Sequence, residues 1–185
     1  MTRVLIVGDF HIPFRASKIP KPLLEMLEEE NFDKVLITGD LVQTYVLRPF
    51  KKFDMVVVRG NMDLGDARKF PEKVLLTFPD FEHKILLFHG TGIYPRGEPM
   101  LLRAKALKNG AKVIVTGHTH YPVVRKVIDV LIINPGSATG VMGGSGGLGI
   151  PTWAIAEFHN KKVKVTIYRT KNDSYDVFQE NEIEV

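Results

Sequence analysis

The sequence predicts a layered α/β domain built on two mixed sheets. Three observations point there: short apolar runs that end in glycine turns, helical stretches placed between those runs, and three paired segments that read as antiparallel hairpins. Arg3 to Val7 is continuously apolar after its first residue and stops at Gly8, as expected of a strand buried on both faces. Val35 to Thr38, Met55 to Arg59 and Val113 to Thr116 repeat the pattern.

The first helix follows Ile19 and Pro20, turns Leu23, Met26 and Leu27 to one face, and closes in Glu28-Glu29-Glu30. The second runs from Pro99 to Asn109. Its expected apolar face carries Met100, Ala104, Leu107 and Ala111, and Asn109-Gly110 ends it. The antiparallel pairs are Val74 to Phe78 with Lys84 to Phe88, Pro122 to Ile128 with Val130 to Ile133, and Thr152 to Phe158 with Val163 to Tyr168. Neither a linker nor a repeat interrupts the 185 residues, and one domain spanning 1–185 is expected. Gly140 to Gly149 contains six glycines. It reads first as a mobile surface loop, with a flap over a site or a docking loop as the alternatives.

Composition excludes several chemistries. No cysteine is present, which removes disulfides, thiolate zinc sites and cysteine nucleophiles. No apolar run is long enough for a membrane span, and Met-Thr-Arg leads into a strand rather than a signal peptide. The expected location is cytoplasmic, with no membrane partner. The formal charge of +4 is carried by scattered lysines and arginines, so no nucleic-acid patch is evident. That charge remains compatible with a small phosphoester substrate. A homodimer through sheet edges or exposed apolar loops is a further expectation.

The chemistry sits in five short motifs at strand ends: Gly8-Asp9-Phe10-His11, Gly39-Asp40, Gly60-Asn61-Met62-Asp63, His89-Gly90 and Gly117-His118-Thr119-His120. They hold four of the six histidines. Nitrogen and oxygen donors on tight turns suit one or two divalent transition metals. Asp9 and His11 are two apart, as are His118 and His120. In extended backbone each pair would project to one side and close on one metal or on two adjacent ones. Such ligands lie where α/β folds put their sites, at the carboxyl ends of buried strands. The chemistry indicated is metal-assisted hydrolysis.

In this order, and followed by Asn134-Pro135-Gly136-Ser137, the motifs resemble the calcineurin-like metallophosphoesterases, from Val4 to about Tyr168. The likeness is strongest to the small single-domain phosphodiesterase branch. Gly8 to Arg15 and Asn134 to Gly140 are similar to the phosphoesterase-like subunit of retromer. The resemblance implies a four-layer α/β/β/α sandwich, the metallo-dependent phosphatase fold. It implies two divalent metal ions, with manganese placed first and nickel, zinc, iron or cobalt admitted. Asp9, His11, Asp40 and His120 would bind the first metal. Asp40, Asn61, His89 and His118 would bind the second, with Asp40 bridging. The implied activity is hydrolysis of phosphate esters, mainly diesters, by a metal-bridging hydroxide. The implied alternative is a weak or inactive metal-binding interaction scaffold like the retromer subunit.

Two departures stand out. Met62 occupies the place where many members carry His and the small branch Cys, and Thr91 follows His-Gly where that branch often has a second His. No obvious general acid is left. Asp63 is expected either to orient a metal-bound His or to be an exposed turn carboxylate. Arg15 and Arg96 read first as solvated surface, with phosphate binding as the alternative. Asn134 to Ser137 reads as turn chemistry that the resemblance brings beside the metals. His83 and His159 lack companions and are left out.

Overall fold

The computed structural model describes residues 1–185. Thirteen elements follow in order: β1 (Thr2–Val7), α1 (Lys21–Glu29), β2 (Lys34–Ile37), β3 (Met55–Val57), β4 (Lys73–Leu76), β5 (Ile85–Phe88), α2 (Pro99–Lys108), β6 (Val113–Val115), β7 (Pro122–Val127), β8 (Val130–Pro135), β9 (Thr152–His159), β10 (Lys162–Lys171) and β11 (Ser174–Glu184). Short 3₁₀ turns at Thr44–Phe50 and Gly65–Lys69 fill two connections.

The strands form two mixed sheets, ordered β11-β10-β9-β1-β2-β3 and β4-β5-β6-β8-β7. The parallel pairs are β1-β2, β2-β3, β5-β6 and β6-β8. The remaining pairs are antiparallel, including the three expected hairpins.

Side-chain alternation makes the layers. On β1, Leu5 and Val7 face a core that includes Leu23, Met26 and Leu27 of α1. Val4 and Ile6 face the opposite way and join Ile85, Leu87, Val113, Val115, Leu131 and Ile133 between the sheets. Leu86, Ile114 and Ile132 point outward from the second sheet to Leu102 and Ala106 of α2. The stack is therefore helix, sheet, sheet, helix. Each of these aliphatic side chains contributes roughly 1.5–3 kcal/mol by leaving water. A strand covered on both sides has no solvent face, which is why its sequence is apolar without alternation.

Two expectations change. The buried face of α2 is Leu102 and Ala106, while Met100 and Ala104 are exposed, Leu107 is half-buried and Ala111, just past the helix, is buried as expected. Apolar residues surround this helix, so its period alone does not select a face. The second change is β11, which the sequence reading omits. It pairs along its whole length with β10, and Lys164–Glu180 and Lys162–Glu182 ion pairs bridge the two strands. No helix is long and apolar enough to cross a membrane.

Candidate metal centre

The five motifs converge although they lie far apart in sequence. Each follows the carboxyl end of a parallel strand: Asp9 and His11 follow β1, Asp40 follows β2, Asn61 follows β3, His89 follows β5, and His118 and His120 follow β6. The two sheets face each other, so these ends meet at one rim.

The local backbone is not extended there. Asp9, His11, Asp40, His118 and His120 all adopt positive φ, between 49 and 71°. Left-handed conformations are costly for non-glycine residues and persist where surrounding structure enforces them. This corrects the argument that alternate residues project to one side. Asp9 and His11 nevertheless share one group, and His118 and His120 fall in two neighbouring groups, one of the two outcomes the spacing allowed and the one the resemblance implied. Ligand atoms of Asp9, His11 and His120 lie within 4.8 Å of one another, and so do those of Asp40, His89 and His118.

Close backbone approach at the rim requires glycine. A Cβ on Gly39, whose φ is 98°, would stand 2.5 Å from the Gly60 nitrogen, and one on Gly60 would stand 2.1 Å from Asp40 Oδ1. The Gly39-Asp40 and Gly60-Asn61 turns can pack together only without side chains at these positions.

Hydrogen bonds set the imidazole orientations. His89 Nδ1 donates to the Thr38 carbonyl at 2.7 Å, which leaves Nε2 facing Asp40 Oδ2 at 3.3 Å. His120 Nδ1 donates to the Val141 carbonyl at 2.6 Å, and its Nε2 lies 3.2 Å from His11 Nε2 and 3.4 Å from Asp9 Oδ1. A backbone carbonyl that holds one ring nitrogen and leaves the other for a cation is the usual support of a metal-ligating histidine, and here the second nitrogen of each ring points to a carboxylate that could share the cation.

The residues present fit divalent cations. Asp9, His11, Asp40, His89, His118 and His120 are all buried, yet Asp9 Oδ1 and His89 Nε2 have no hydrogen-bond partner. Buried polar atoms ordinarily find partners, and two orphans at the focus of two ligand groups are atoms that cations would satisfy. The crowding of charge shifts the proton equilibria of these groups. Burial opposes the charge on Asp9, but His11 and His120 hold its carboxyl far below the usual range. Burial also opposes the His89 imidazolium, yet Asp40 and Asp9 raise its pKa to about 9. Burial and the cations of His89 and Arg96 push His118 down to about 4, so it is neutral at neutral pH.

Asn61 stands at the mouth, exposed, and lines a cavity of about 130 Å3 with Asp40, His118, His120 and Met62. Arg15 and Arg96 are exposed, as the surface reading expects, and both also line this cavity. The glycine-rich segment also belongs here. Val141 supports His120, Arg15 Nη1 donates to the Met142 carbonyl, and Gly143 lies so near His120 that a Cβ would stand 3.0 Å from its ring.

Comparison with known proteins agrees with this geometry. The model of the calcineurin-like phosphoesterase superfamily domain matches residues 2–161. The chain belongs to that superfamily. A probable metallophosphoesterase of Methanothermobacter thermautotrophicus is 36% identical over 135 residues, 72% of this chain and 76% of the relative. A probable metallophosphoesterase of Methanocaldococcus jannaschii is 36% identical over 135 residues, covering 72% and 67% respectively. Among solved structures, vacuolar protein sorting 29 of Cryptosporidium parvum superposes with a TM-score of 0.89 at 26% identity, over 100% of this chain and 98% of that one. Zinc-complexed Vps29 of Entamoeba histolytica superposes with a TM-score of 0.85 at 26% identity, over 98% of each chain.

Within this phosphoesterase fold, the sequence reading missed how the ligand turns are supported. Ser137 Oγ donates to the Asp9 carbonyl, Thr139 Oγ1 donates to the Phe10 carbonyl, and Asn134 Nδ2 donates to the Gly117 carbonyl. The Asn134 to Ser137 segment is thus a clamp between the first and last ligand turns. Asp63 is neither exposed nor directed at a histidine: it is buried and accepts from three backbone amides. Two carbonyls, of Thr38 and Val141, also went unnoticed, because a main-chain acceptor leaves no mark in the side-chain pattern.

Proposed function

We propose that this superfamily member is a two-metal phosphodiesterase acting on a small phosphoester in the cytoplasm. The observation that carries the reading is the meeting of two buried ligand groups, Asp9-His11-His120 and Asp40-His89-His118, at one cavity that His11, His120, Asp40 and His118 line together with Arg15 and Arg96. In the proposed assignment Asp9, His11, Asp40 and His120 hold one cation. Asp40, Asn61, His89 and His118 hold the other, and manganese is the first choice among metals that this mixed donor set admits. Two such cations would lower the pKa of a water and offset charge on the phosphoryl oxygens.

The remaining roles fall to the chain. Arg15 and Arg96 orient the phosphoryl group through its non-bridging oxygens, which suits planar guanidinium donors. The Asn61 amide oxygen coordinates without adding negative charge beside an anionic substrate. Met62 supplies no proton, so the leaving group departs as its anion unless solvent protonates it. Good leaving groups such as aryl alcohols are therefore favoured. The test is hydrolysis of bis(p-nitrophenyl) phosphate and p-nitrophenyl phosphate by chelated protein, with manganese, nickel, zinc or magnesium restored singly. Turnover of the diester that disappears in Asp40→Ala supports the reading. Loaded metal sites without turnover of either ester would overturn it.

The alternative is a metal-binding interaction scaffold, and the near-complete mutual coverage with Vps29 structures favours it as the second reading. It would be upheld by a protein partner whose binding survives while no phosphoester is hydrolysed.

A further inference from the structure

A second and larger cavity shares a wall with the metal centre. It encloses about 460 Å3 and is bounded by the turns that carry Asn61 and Thr91, with Asn61 lining both spaces. The metal-centre cavity, at about 130 Å3, accommodates a phosphoryl group but little more of an organic ester, since pockets for small organic ligands hold roughly 300–1,000 Å3. The rest of a substrate has to lie elsewhere, and the larger cavity is directly adjoining.

Its lining states what that part of the substrate carries. Phe88 is the single apolar residue there, so a hydrophobic arm finds little to cover it. Four long charged side chains remain: Arg59, Arg68, Glu72 and Lys105. Arg59 is neutralised by Glu72 at 2.5 Å. Asp63 also borders the space, but its carboxylate is occupied by backbone amides. Arg68 and Lys105 form no ion pair. Arg68 donates through Nε to the Asp63 carbonyl, which leaves its terminal nitrogens free, and the Lys105 ammonium stands 4.5 Å from the Phe88 ring centroid. Two cations without an ion-pair partner, in a lining of three cations and two carboxylates beside a phosphoryl site, describe an anion subsite.

Building on the phosphodiesterase reading, we infer that the arm of the substrate in this cavity carries a second phosphate, met by Arg68 and Lys105. A phosphate offers close to two negative charges and three acceptor oxygens to two cations, whereas a carboxylate would leave one of them unmatched. The centre then selects esters of phosphorylated alcohols over plain diesters of the same leaving group.

The experiment compares thymidine 5′-(p-nitrophenyl phosphate) with the same compound bearing a 3′-phosphate, using metal-loaded protein. The 3′-phosphate is expected to raise kcat/KM about tenfold, chiefly through KM, as a charge-assisted contact should. Lys105→Gln and Arg68→Gln are each expected to bring that ratio toward one. Lys105 makes no side-chain hydrogen bond, so its variant is informative even if Arg68→Gln disturbs the Asp63 turn. A ratio of one in the unsubstituted protein, or a ratio that both substitutions leave intact, would overturn the inference. Calorimetric titration with thymidine 3′,5′-bisphosphate against thymidine 5′-phosphate reads the subsite without turnover. Preferential binding of the bisphosphate that weakens in both variants, with no hydrolysis, would uphold the subsite and reject the phosphodiesterase. Hydrolysis with equal treatment of both esters would do the reverse.

Discussion

The Asp63 carboxylate accepts the backbone N–H of Asp40 at 3.1 Å, across 23 positions of sequence, and thereby ties two ligand turns together. The same carboxylate accepts from Gly60 at 2.8 Å and from Val42 at 2.8 Å. Burial pushes this carboxyl up, against the pull of the amide donors. Asp63→Ala would leave three backbone amides, two of them buried and that of Gly60 half-buried, without an acceptor, and a buried unsatisfied donor costs about 1–3 kcal/mol. The expected loss is about 3 kcal/mol in urea unfolding. Asp63→Asn should lose less, since one acceptor oxygen survives. Equal stability of Asp63→Ala and the unsubstituted protein would contradict the role assigned to it.

Metal removal should destabilise the fold. The two ligand groups bring together buried carboxylates and imidazoles that a cation would satisfy, and a ligand bound only by the native state adds about 4 kcal/mol at a thousand times its Kd. Chelation is expected to lower Tm, and zinc or manganese to restore it. The restoration should be blunted in His118→Ala. A melting temperature indifferent to chelator and metal would argue against occupied sites.

Met62 donates its backbone N–H to Asp40 Oδ1 at 2.7 Å, while its side chain lines the metal-centre cavity in a position without a proton to give. Rates across a series of diesters should fall steeply as the leaving-group pKa rises. Met62→His should flatten that dependence and raise turnover of alkyl esters by about 10²-fold, the lower end of general-acid assistance. The measurement is the slope of log kcat/KM against leaving-group pKa. A shallow slope in the unsubstituted protein would remove the argument.

Asp129, in the turn between β7 and β8, gathers Lys112 at 2.6 Å and Arg103 at 2.7 Å. Lys112 and then Arg103 lower its pKa from 3.8 to about 2. A folded-state pKa below the unfolded one adds stability above pH 4 that fades as pH falls toward 2. Asp129→Asn should therefore melt slightly lower than the unsubstituted protein at pH 6, with the two curves converging near pH 2. A gap that widened on acidification would reverse the sign. The pair faces solvent, so the difference is small.

The apolar runs of β1, β2 and β6 were legible because burial on both faces restricts residue type strongly, and the turns after them because glycine beside Asp, Asn and His donors is an unusual combination, whereas their positive φ was not legible. Strand β11 was not legible, since Asp176, Glu180, Glu182 and Glu184 resemble a solvated tail until the lysines of β10 stand opposite. Asp63 shows the same limit. Its type is typical of a turn, and only the packing of the Gly39-Asp40 turn against the Gly60-Asn61 turn buries it.

By itself, then, the sequence determined the layered α/β class, the strands that make its centre, and the seven side chains at the rim, from Asp9 to His120. Those features follow from local chemistry: apolar runs for two-sided burial, glycine for tight turns, nitrogen and oxygen donors for cations. The tertiary structure alone decided that Asp63 holds Asp40, that Asn134 and Ser137 tie the Gly117 and Asp9 turns together, and that Arg68 and Lys105 stand unpaired beside Asn61. Those relations depend on where separate turns meet when the two sheets pack face to face, and no spacing along the chain encodes that meeting.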